Sequence, residues 1–201
     1  MNAADILKVD PRAEALIFDV DGTLVDSLPL HRRAWQETIH QFGLKLTEEL
    51  FRECFGRTSV DLVDFLNHRL SDQLSQPLDA EQVGIAKDKA YLQYIPLLQP
   101  IGPVVDVVYR HMDRMPIGVA TNESFGIANM VLRSTGLGTC FRALVTVDEV
   151  ENPKPAPDIF LECAHRLGVK PESCQVFEDS DYGLEAARAA GMIVTDVRPA
   201  L

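Results

Sequence analysis

The chain contains four short apolar segments that each lead into polar or charged side chains. The first runs from 15 to 18 and leads directly into Asp19-Val20-Asp21-Gly22-Thr23. The others lead into Thr121-Asn122, into a loop that holds Lys154 between prolines, and into Glu178-Asp179-Ser180. Because the carboxyl ends of strands in an open parallel sheet gather at one edge, where ligands bind, we expect these four groups to converge.

Asp19 and Asp21 stand one residue apart at the end of the first apolar segment. Strand alternation points both side chains to the same side, and Gly22 allows the backbone to turn sharply beside them. Two carboxylates that close repel each other unless a cation lies between them or one keeps its proton. The pair therefore predicts a divalent metal, a nucleophile beside a general acid, or both, with a solvated acidic turn as the alternative.

The order of the segments predicts a doubly wound α/β fold with a parallel sheet. After residue 100 helical and strand-like segments alternate, which implies right-handed crossovers. Between the first strand and residue 100 the apolar spacing is helical instead. We therefore expect a core formed by residues 1–27 and 97–201 and a helical cap at 28–96, with hinges at 27–29 and 96–100.

Composition limits the classes of partner. The chain has 201 residues, 46% of them hydrophobic and 24% charged, which is typical of a globular protein. Its net charge of −11 argues against nucleic acid and anionic membranes, because both require a basic surface. With no signal-peptide pattern, no apolar stretch of spanning length and four scattered cysteines, we expect a cytoplasmic monomer or weak homodimer with reduced thiols.

These residues resemble the four ordered motifs of the haloacid dehalogenase superfamily. The first is Asp19-x-Asp21-Gly22-Thr23, the second Thr121, the third Lys154 in Lys-Pro-x-Pro, and the fourth Glu178-Asp179-Ser180 with a following small-residue helix. The match spans nearly the whole chain. Within the superfamily the chain is similar to the β-phosphoglucomutase-like branch of sugar-phosphate phosphatases, which includes fructose-1-phosphate and 6-phosphogluconate phosphatases.

The resemblance implies a magnesium-dependent phosphatase. Mg²⁺ would be held by the Asp19 carboxylate, the backbone carbonyl of Asp21 and the Asp179 carboxylate, with Glu178 bound directly or through water; these are the hard oxygen ligands that Mg²⁺ prefers. Asp19 would attack phosphorus to form an aspartyl-phosphate. Asp21 would protonate the leaving sugar oxygen and then activate water as a base.

Two further motifs would bind the phosphoryl group. Thr121 and the amide of Asn122 can hydrogen-bond an anion, and the Lys154 ammonium would balance the charges of phosphate and Asp19. Taken singly, Thr121 could instead cap a helix beginning at Asn122, and Lys154 could be a solvated loop lysine.

The cap should select the substrate, through His31 at the start of its first helix, Arg57 and Lys87. The segment Gly56-Arg57-Thr58-Ser59 matches a cap loop of the mutases, except that the mutases carry an arginine at the position of Ser59 that grips a second phosphate. This difference favours a hydrolase, with a phosphohexomutase as the alternative unless Arg57 substitutes for that grip. A receiver-like signalling domain is only a remote alternative, because such domains lack both the Asp-x-Asp-Gly-Thr arrangement and the inserted cap.

Overall fold

A computed structural model describes residues 3–54, without the side chain of Cys54, and residues 57–201. The five strands form one parallel sheet in the order β3-β2-β1-β4-β5, which confirms the predicted α/β class. The strands are β1 (Ala15–Phe18), β2 (Ile117–Thr121), β3 (Ala143–Thr146), β4 (Cys174–Glu178) and β5 (Ile193–Asp196). The helices are α1 (Ala3–Ile6), α2 (Leu28–Gln41), α3 (Glu48–Cys54), α4 (Ser59–Arg69), α5 (Ala80–Leu92), α6 (Gly102–His111), α7 (Phe125–Ser134), α8 (Asp158–Leu167) and α9 (Asp181–Ala189).

Helices cover both faces of the sheet, so its central strand β1 is apolar at every position rather than alternating. In β1, Leu16 and Phe18 pack into one cluster with α6 and α7, whereas Ala15 and Ile17 pack into another with α8 and α9. All four side chains are fully buried. Burial of a side chain such as Leu16 contributes roughly 1.5–3 kcal/mol, so the central strand is held firmly from both sides.

The segment between β1 and α6 folds as helices α2 to α5, as the apolar spacing predicts. Their facing side chains, from Trp35 to Val83, form a third apolar cluster that is separate from the two on the sheet. Gly43 follows the end of α2 with a φ of +77°, a left-handed conformation that favours glycine. The apolar spacing predicts a helix over 50–55, and this helix is α3; Phe55 lies outside the described residues, and so does Gly56 of the cap loop. We keep the division into core and cap as a proposal.

The two chain crossings between the core and this helical segment run side by side. The amide of Asp26 donates to the carbonyl oxygen of Gln99 at 2.9 Å, and the amide of Ile101 donates to the carbonyl oxygen of Leu24 at 2.8 Å. Val25 and Pro100 form an antiparallel bridge between these two bonds. We call this paired segment, residues 24–26 and 99–101, the stalk.

Several boundaries differ from those expected from sequence. The helix expected at 124–135 is α7, which begins at Phe125 with Ser124 at its N-cap position, so the alternative in which Thr121 caps a helix beginning at Asn122 is wrong. The apolar segment 143–147 predicts a strand through Val147, but β3 ends at Thr146 and a short 3₁₀ turn, Val147–Glu149, follows it. Within the described residues, no helix is both long and apolar enough to cross a membrane.

Candidate active site

The carboxyl ends of β1, β2 and β4 bring together side chains that lie far apart in the sequence. Asp19 follows β1, Thr121 ends β2, and Glu178 ends β4. The loop after β3 carries Lys154 back to the same edge. These residues line one side of a cleft of about 700 Å³, counting the part that opens to solvent. The helical segment lines the opposite side with Leu28, His31, Trp35, Phe51, Arg57, Ser59, Leu62 and Lys87.

Lys154 ties the first and fourth motifs together. Its ammonium donates to Asp19 Oδ1 at 2.6 Å and to Glu178 Oε2 at 2.8 Å, and it is only 3% exposed. It also lies 4.9 Å from the centre of the Phe160 ring. Burial alone would lower the pKa of Lys154, but the charges of Asp19 and Glu178 outweigh it and raise the pKa. Lys154 is therefore a buried ammonium, contrary to the alternative of a solvated lysine.

The turn after β4 fixes the remaining carboxylates. Glu178 Oε1 accepts from the amides of Asp179 and Ser180 at 3.0 and 2.9 Å, so this side chain is bound at both of its oxygens. Asp179 Oδ1 accepts the hydroxyl of Thr23 at 2.8 Å. Gly22 has a φ of +83°, and a Cβ there would collide with the Asp179 carboxylate. Glycine at this position therefore lets the first and fourth motifs touch.

The carboxylates of Asp19, Glu178 and Asp179 fit a divalent cation. They are all buried, and one oxygen from each lies within 4.8 Å of the others. Burial and the Glu178 charge raise the pKa of Asp19 well above its ordinary value, and the same two causes raise that of Asp179 to about 7. Three buried carboxylates exceed the one charge that Lys154 can offset, and their oxygens are the ligands that Mg²⁺ binds. The donor set therefore suits Mg²⁺.

Asp21 is held differently from Asp19. Its Oδ1 accepts the Ser27 hydroxyl at 2.6 Å and lies 2.9 Å from His31 Nε2, and the His31 ring stacks on Tyr91 with centroids 3.9 Å apart. Burial would raise the pKa of Asp21, but His31, Ser27 and Lys87 together lower it. The two aspartates of the first motif thus have opposite environments, which is the arrangement expected when two carboxyls take different parts in acid–base chemistry.

The side chains after β2 have distinct positions. Thr121 is 2% exposed, and its Oγ1 accepts the amide of Glu123 at 3.1 Å. The Asn122 amide donates to the Lys154 carbonyl at 3.2 Å and accepts the Lys154 backbone amide at 3.0 Å. Asn122 therefore holds the lysine loop against β2, and direct contact with substrate stays a prediction for it.

On the opposite wall, the predicted cap residues all reach the cleft. Lys87 is 1% exposed, and its ammonium lies 3.0 Å from the Glu123 carboxylate. It is therefore not a solvated lysine on the surface of a helix. Arg57 stacks on Phe65 of α4 and on Tyr182 of α9, with its guanidinium 5.1 and 5.4 Å from the ring centres. Their substrate contacts stay predictions.

Sequence reasoning missed three residues that line the cleft or contact the side chains that line it. Ser27 was noted only as a hinge, yet it donates to Asp21. Tyr91 lies four residues after Lys87, a helical spacing that places both on one face and could have identified it. Glu123 follows Thr121 by two residues at a strand end, and the motif pattern assigned it nothing.

Comparison with known proteins identifies the family. The model for haloacid dehalogenase-like hydrolases matches residues 16–197. The chain is 39% identical over 189 residues, 93% of its length and 97% of the relative's, to the Escherichia coli (strain K12) protein named fructose-1-phosphate phosphatase YqaB. It is 32% identical to the Thermotoga maritima protein named phosphorylated carbohydrates phosphatase, over 89% of this chain and 82% of that one. The structure of CbbY from Rhodobacter sphaeroides in complex with phosphate superimposes with a TM-score of 0.80 and 28% identity, covering 90% of this chain and 84% of that one. The chain therefore belongs to the haloacid dehalogenase-like hydrolases, in the branch that its motifs predict.

Proposed function

We propose that this protein is a Mg²⁺-dependent phosphatase that hydrolyses small sugar phosphates, such as fructose 1-phosphate or 6-phosphogluconate, through an aspartyl-phosphate. The names of the two relatives above both specify a phosphatase, and both specify a phosphorylated sugar or carbohydrate as its substrate. The observation that carries the proposal is the buried Asp19 carboxylate at the end of the central strand, 2.6 Å from the Lys154 ammonium.

Asp19 is the nucleophile. A phosphate monoester dianion repels a carboxylate, so attack requires both charges to be neutralised, and Lys154 supplies one positive charge to that interface. An Asp19 oxygen then forms a bond to phosphorus while the bond between phosphorus and the sugar oxygen breaks. The Thr121 hydroxyl and the amides beside it hold the phosphoryl oxygens.

Asp19, the backbone carbonyl of Asp21 and Asp179 would hold Mg²⁺, with Glu178 as a direct ligand or one that acts through water. When bound, Mg²⁺ supplies the positive charge that offsets the phosphoryl oxygens and the Asp19 carboxylate. The contact of Thr23 with Asp179 and the turn bonds of Glu178 keep these carboxylates in place for it.

Asp21 gives a proton to the leaving sugar oxygen and later removes one from the water that cleaves the aspartyl-phosphate. Its pKa is lowered in the resting site, so the proton for the first step must come from a neighbouring group. His31 Nε2, 2.9 Å away, is placed to share that proton, and the stacked Tyr91 ring holds the imidazole in position. The negative charge of a bound phosphate ester favours the protonated form of Asp21.

A phosphohexomutase is the second candidate, because the branch includes such enzymes. Ser59 lies on the cleft wall where the mutases carry an arginine, and its hydroxyl has no charge to grip a second phosphate. Arg57 is close by but is stacked on Phe65 and Tyr182. We therefore favour hydrolysis.

Two non-catalytic alternatives have less support. A silent scaffold would be favoured if the carboxylates were too far apart to share a cation, yet their oxygens lie within 4.8 Å. A receiver-like domain does not account for the helices between β1 and α6. The cap boundaries at 28 and 96, a cytoplasmic location and a monomer or weak homodimer stay proposals.

The experiment is a phosphate-release assay over a panel of phosphorylated metabolites, followed by phosphorus NMR of the products. We expect steady release of inorganic phosphate from fructose 1-phosphate or a related sugar phosphate, without stimulation by a sugar bisphosphate. Stoichiometric conversion of β-glucose 1-phosphate to glucose 6-phosphate, with little free phosphate, would show that the enzyme is a mutase.

A further inference from the structure

A buried ion pair crosses the cleft at a point that the catalytic roles do not use. Lys87 on α5 lies 3.0 Å from Glu123, which follows β2, so the pair joins the helical segment to the sheet edge. The Lys87 side chain is 2% exposed and that of Glu123 is 17% exposed, and both line the cleft. Charged groups withdrawn from water to this extent carry a desolvation cost, so their position requires an explanation.

The pair is poorly suited to bind a cation or a phosphate. Glu123, Asp21 and His31 each place one ligand atom within 4.8 Å of the others, but the Lys87 ammonium already lies against Glu123 and would repel a metal ion there. The carboxylate of Glu123 would in turn repel a phosphate, and it draws the Lys87 ammonium toward itself. What Glu123 offers the cleft is a fixed carboxylate acceptor in a partly dry environment, which suits a hydroxyl donor.

We propose that Glu123 is a specificity-determining residue that accepts a hydrogen bond from the hydroxyl on the carbon next to the ester-bearing carbon of the substrate. The inference rests on the proposed function, because it takes Asp21 as the group that meets the leaving oxygen. It narrows the substrate class to phosphate esters that carry a vicinal hydroxyl.

The vicinal position follows from distance. The ligand atoms of Asp21 and Glu123 lie within 4.8 Å, and both carboxylates face the same cleft. In a vicinal pair the ester oxygen and the hydroxyl are separated by one carbon–carbon bond, so one can meet Asp21 while the other meets Glu123. A hydroxyl one carbon farther along the chain is separated by an extra rotatable bond, so fewer of its conformers place it at Glu123 while the ester oxygen meets Asp21.

Lys87 is a positioning residue for Glu123. Its ammonium is 3.3 Å from Asp88 on its own helix and lies 5.2 Å from the centre of the Tyr91 ring, so it has little freedom to move. Burial alone would lower the pKa of Lys87, but Glu123 and Asp88 raise it, which keeps the ammonium charged. Held in this way, Lys87 fixes the Glu123 carboxylate and reduces its repulsion of the nearby phosphoryl group.

The test compares three esters with the same three-carbon chain: propyl phosphate, 2-hydroxypropyl phosphate and 3-hydroxypropyl phosphate. For wild-type enzyme loaded with Mg²⁺, we expect kcat/KM for the 2-hydroxy ester to exceed that for propyl phosphate by about 10-fold or more, the effect of one hydrogen bond to a charged group. The 3-hydroxy ester should resemble propyl phosphate. Glu123→Gln should remove most of this preference, and Lys87→Met should weaken it.

Glu48→Gln is the matched control, because it breaks an exposed pair with Arg32 on the same helical segment but away from the cleft lining. This control should keep the wild-type preference. A wild-type enzyme that hydrolyses the esters without preference, or a Glu123→Gln variant that keeps the preference, would overturn the inference alone. Failure of wild type to hydrolyse any ester, fructose 1-phosphate included, would overturn the proposed function as well.

Discussion

The two walls of the cleft differ in how their charged side chains are held. On the sheet side, Asp19, Lys154 and Glu178 are buried and joined by bonds of 2.6 and 2.8 Å. On the helical side, Arg57 has aromatic rings beside its guanidinium and one long bond, 3.3 Å, to the carbonyl oxygen of Glu53. Ion pairs hold the charged side chains on the sheet side, whereas contacts with aromatic rings mainly hold the charged side chain of Arg57 on the helical side.

This difference indicates that the two walls of the cleft are suited to different functions. Fixed charges stabilise a transition state because they need not reorganise during the reaction, so the sheet wall is suited to the phosphoryl chemistry. Stacked and apolar groups such as Trp35 and Phe51 accept different molecular shapes, so the helical wall is suited to the variable part of a substrate. Lys87 is the exception, since it is buried and charged on the helical side.

Removing the nucleophile should give the largest effect. Asp19→Asn should lower the rate of phosphate release by at least about 10⁴-fold, because an amide does not attack phosphorus. Its melting temperature should equal or exceed that of wild type, since the change removes one of several crowded carboxylates. The exposed Asp113→Asn serves as the control. Turnover of Asp19→Asn near the wild-type rate would exclude Asp19 as the nucleophile.

Removing the proposed Mg²⁺ should reversibly lower the rate of turnover. In excess chelator, turnover should fall by about 100-fold or more, because the positive charge that offsets the phosphoryl oxygens is lost. Returned Mg²⁺ should restore the rate, and Ca²⁺ should inhibit because its larger radius and looser coordination misplace the ligands. Full activity in chelator would contradict the metal assignment to Asp19, Asp21 and Asp179.

Removing Arg57 should have a small effect that depends on the substrate. Arg57→Ala should raise KM for sugar phosphates by about 2- to 5-fold with little change in kcat, because it removes a cleft-lining cation that is held only by weak contacts with Phe65 and Tyr182. Arg69→Ala is the control, because Arg69 also lies over Phe65, 6.0 Å from the ring centre, but does not line the cleft. A large loss of kcat would indicate instead that Arg57 takes part in the phosphoryl chemistry.

The last effect is on stability rather than turnover. Burial and Glu178 raise the pKa of Asp179 to about 7 from an ordinary value of 3.8, so between these pH values the native state binds more protons than the unfolded state. Stability in chelator should therefore fall as pH rises from about 4 to 7, by at most about 1.4 kcal/mol per pH unit from this group. Urea unfolding at several pH values should show a shallower dependence for Asp179→Asn. Equal slopes for the two proteins would contradict the pKa shift.

The motif residues of the sheet wall were predictable because strand ends in a parallel sheet share one edge. Asp19, Thr121 and Glu178 needed only that rule to be brought together. The contact between Asp179 and Thr23 was not predictable, because it depends on the close approach that Gly22 permits between two turns.

The helical wall was less predictable because it depends on how helices pack on one another. Helical spacing located the four helices, but not which face of α5 meets the sheet edge. Lys87 pairs with Glu123, 36 residues away, because of that orientation, and no local sequence pattern predicts the pair.

The stalk affects how the sequence of this enzyme can change during evolution. Because residues 24–26 and 99–101 are paired, the chain leaves the sheet and returns to it at almost the same point. A longer, shorter or unrelated insert between these segments would leave the strand order and the catalytic edge connected as before. Recombination at this point would therefore exchange helices α2 to α5, with the cleft side chains that they carry, as one unit while the strands of the sheet stay joined.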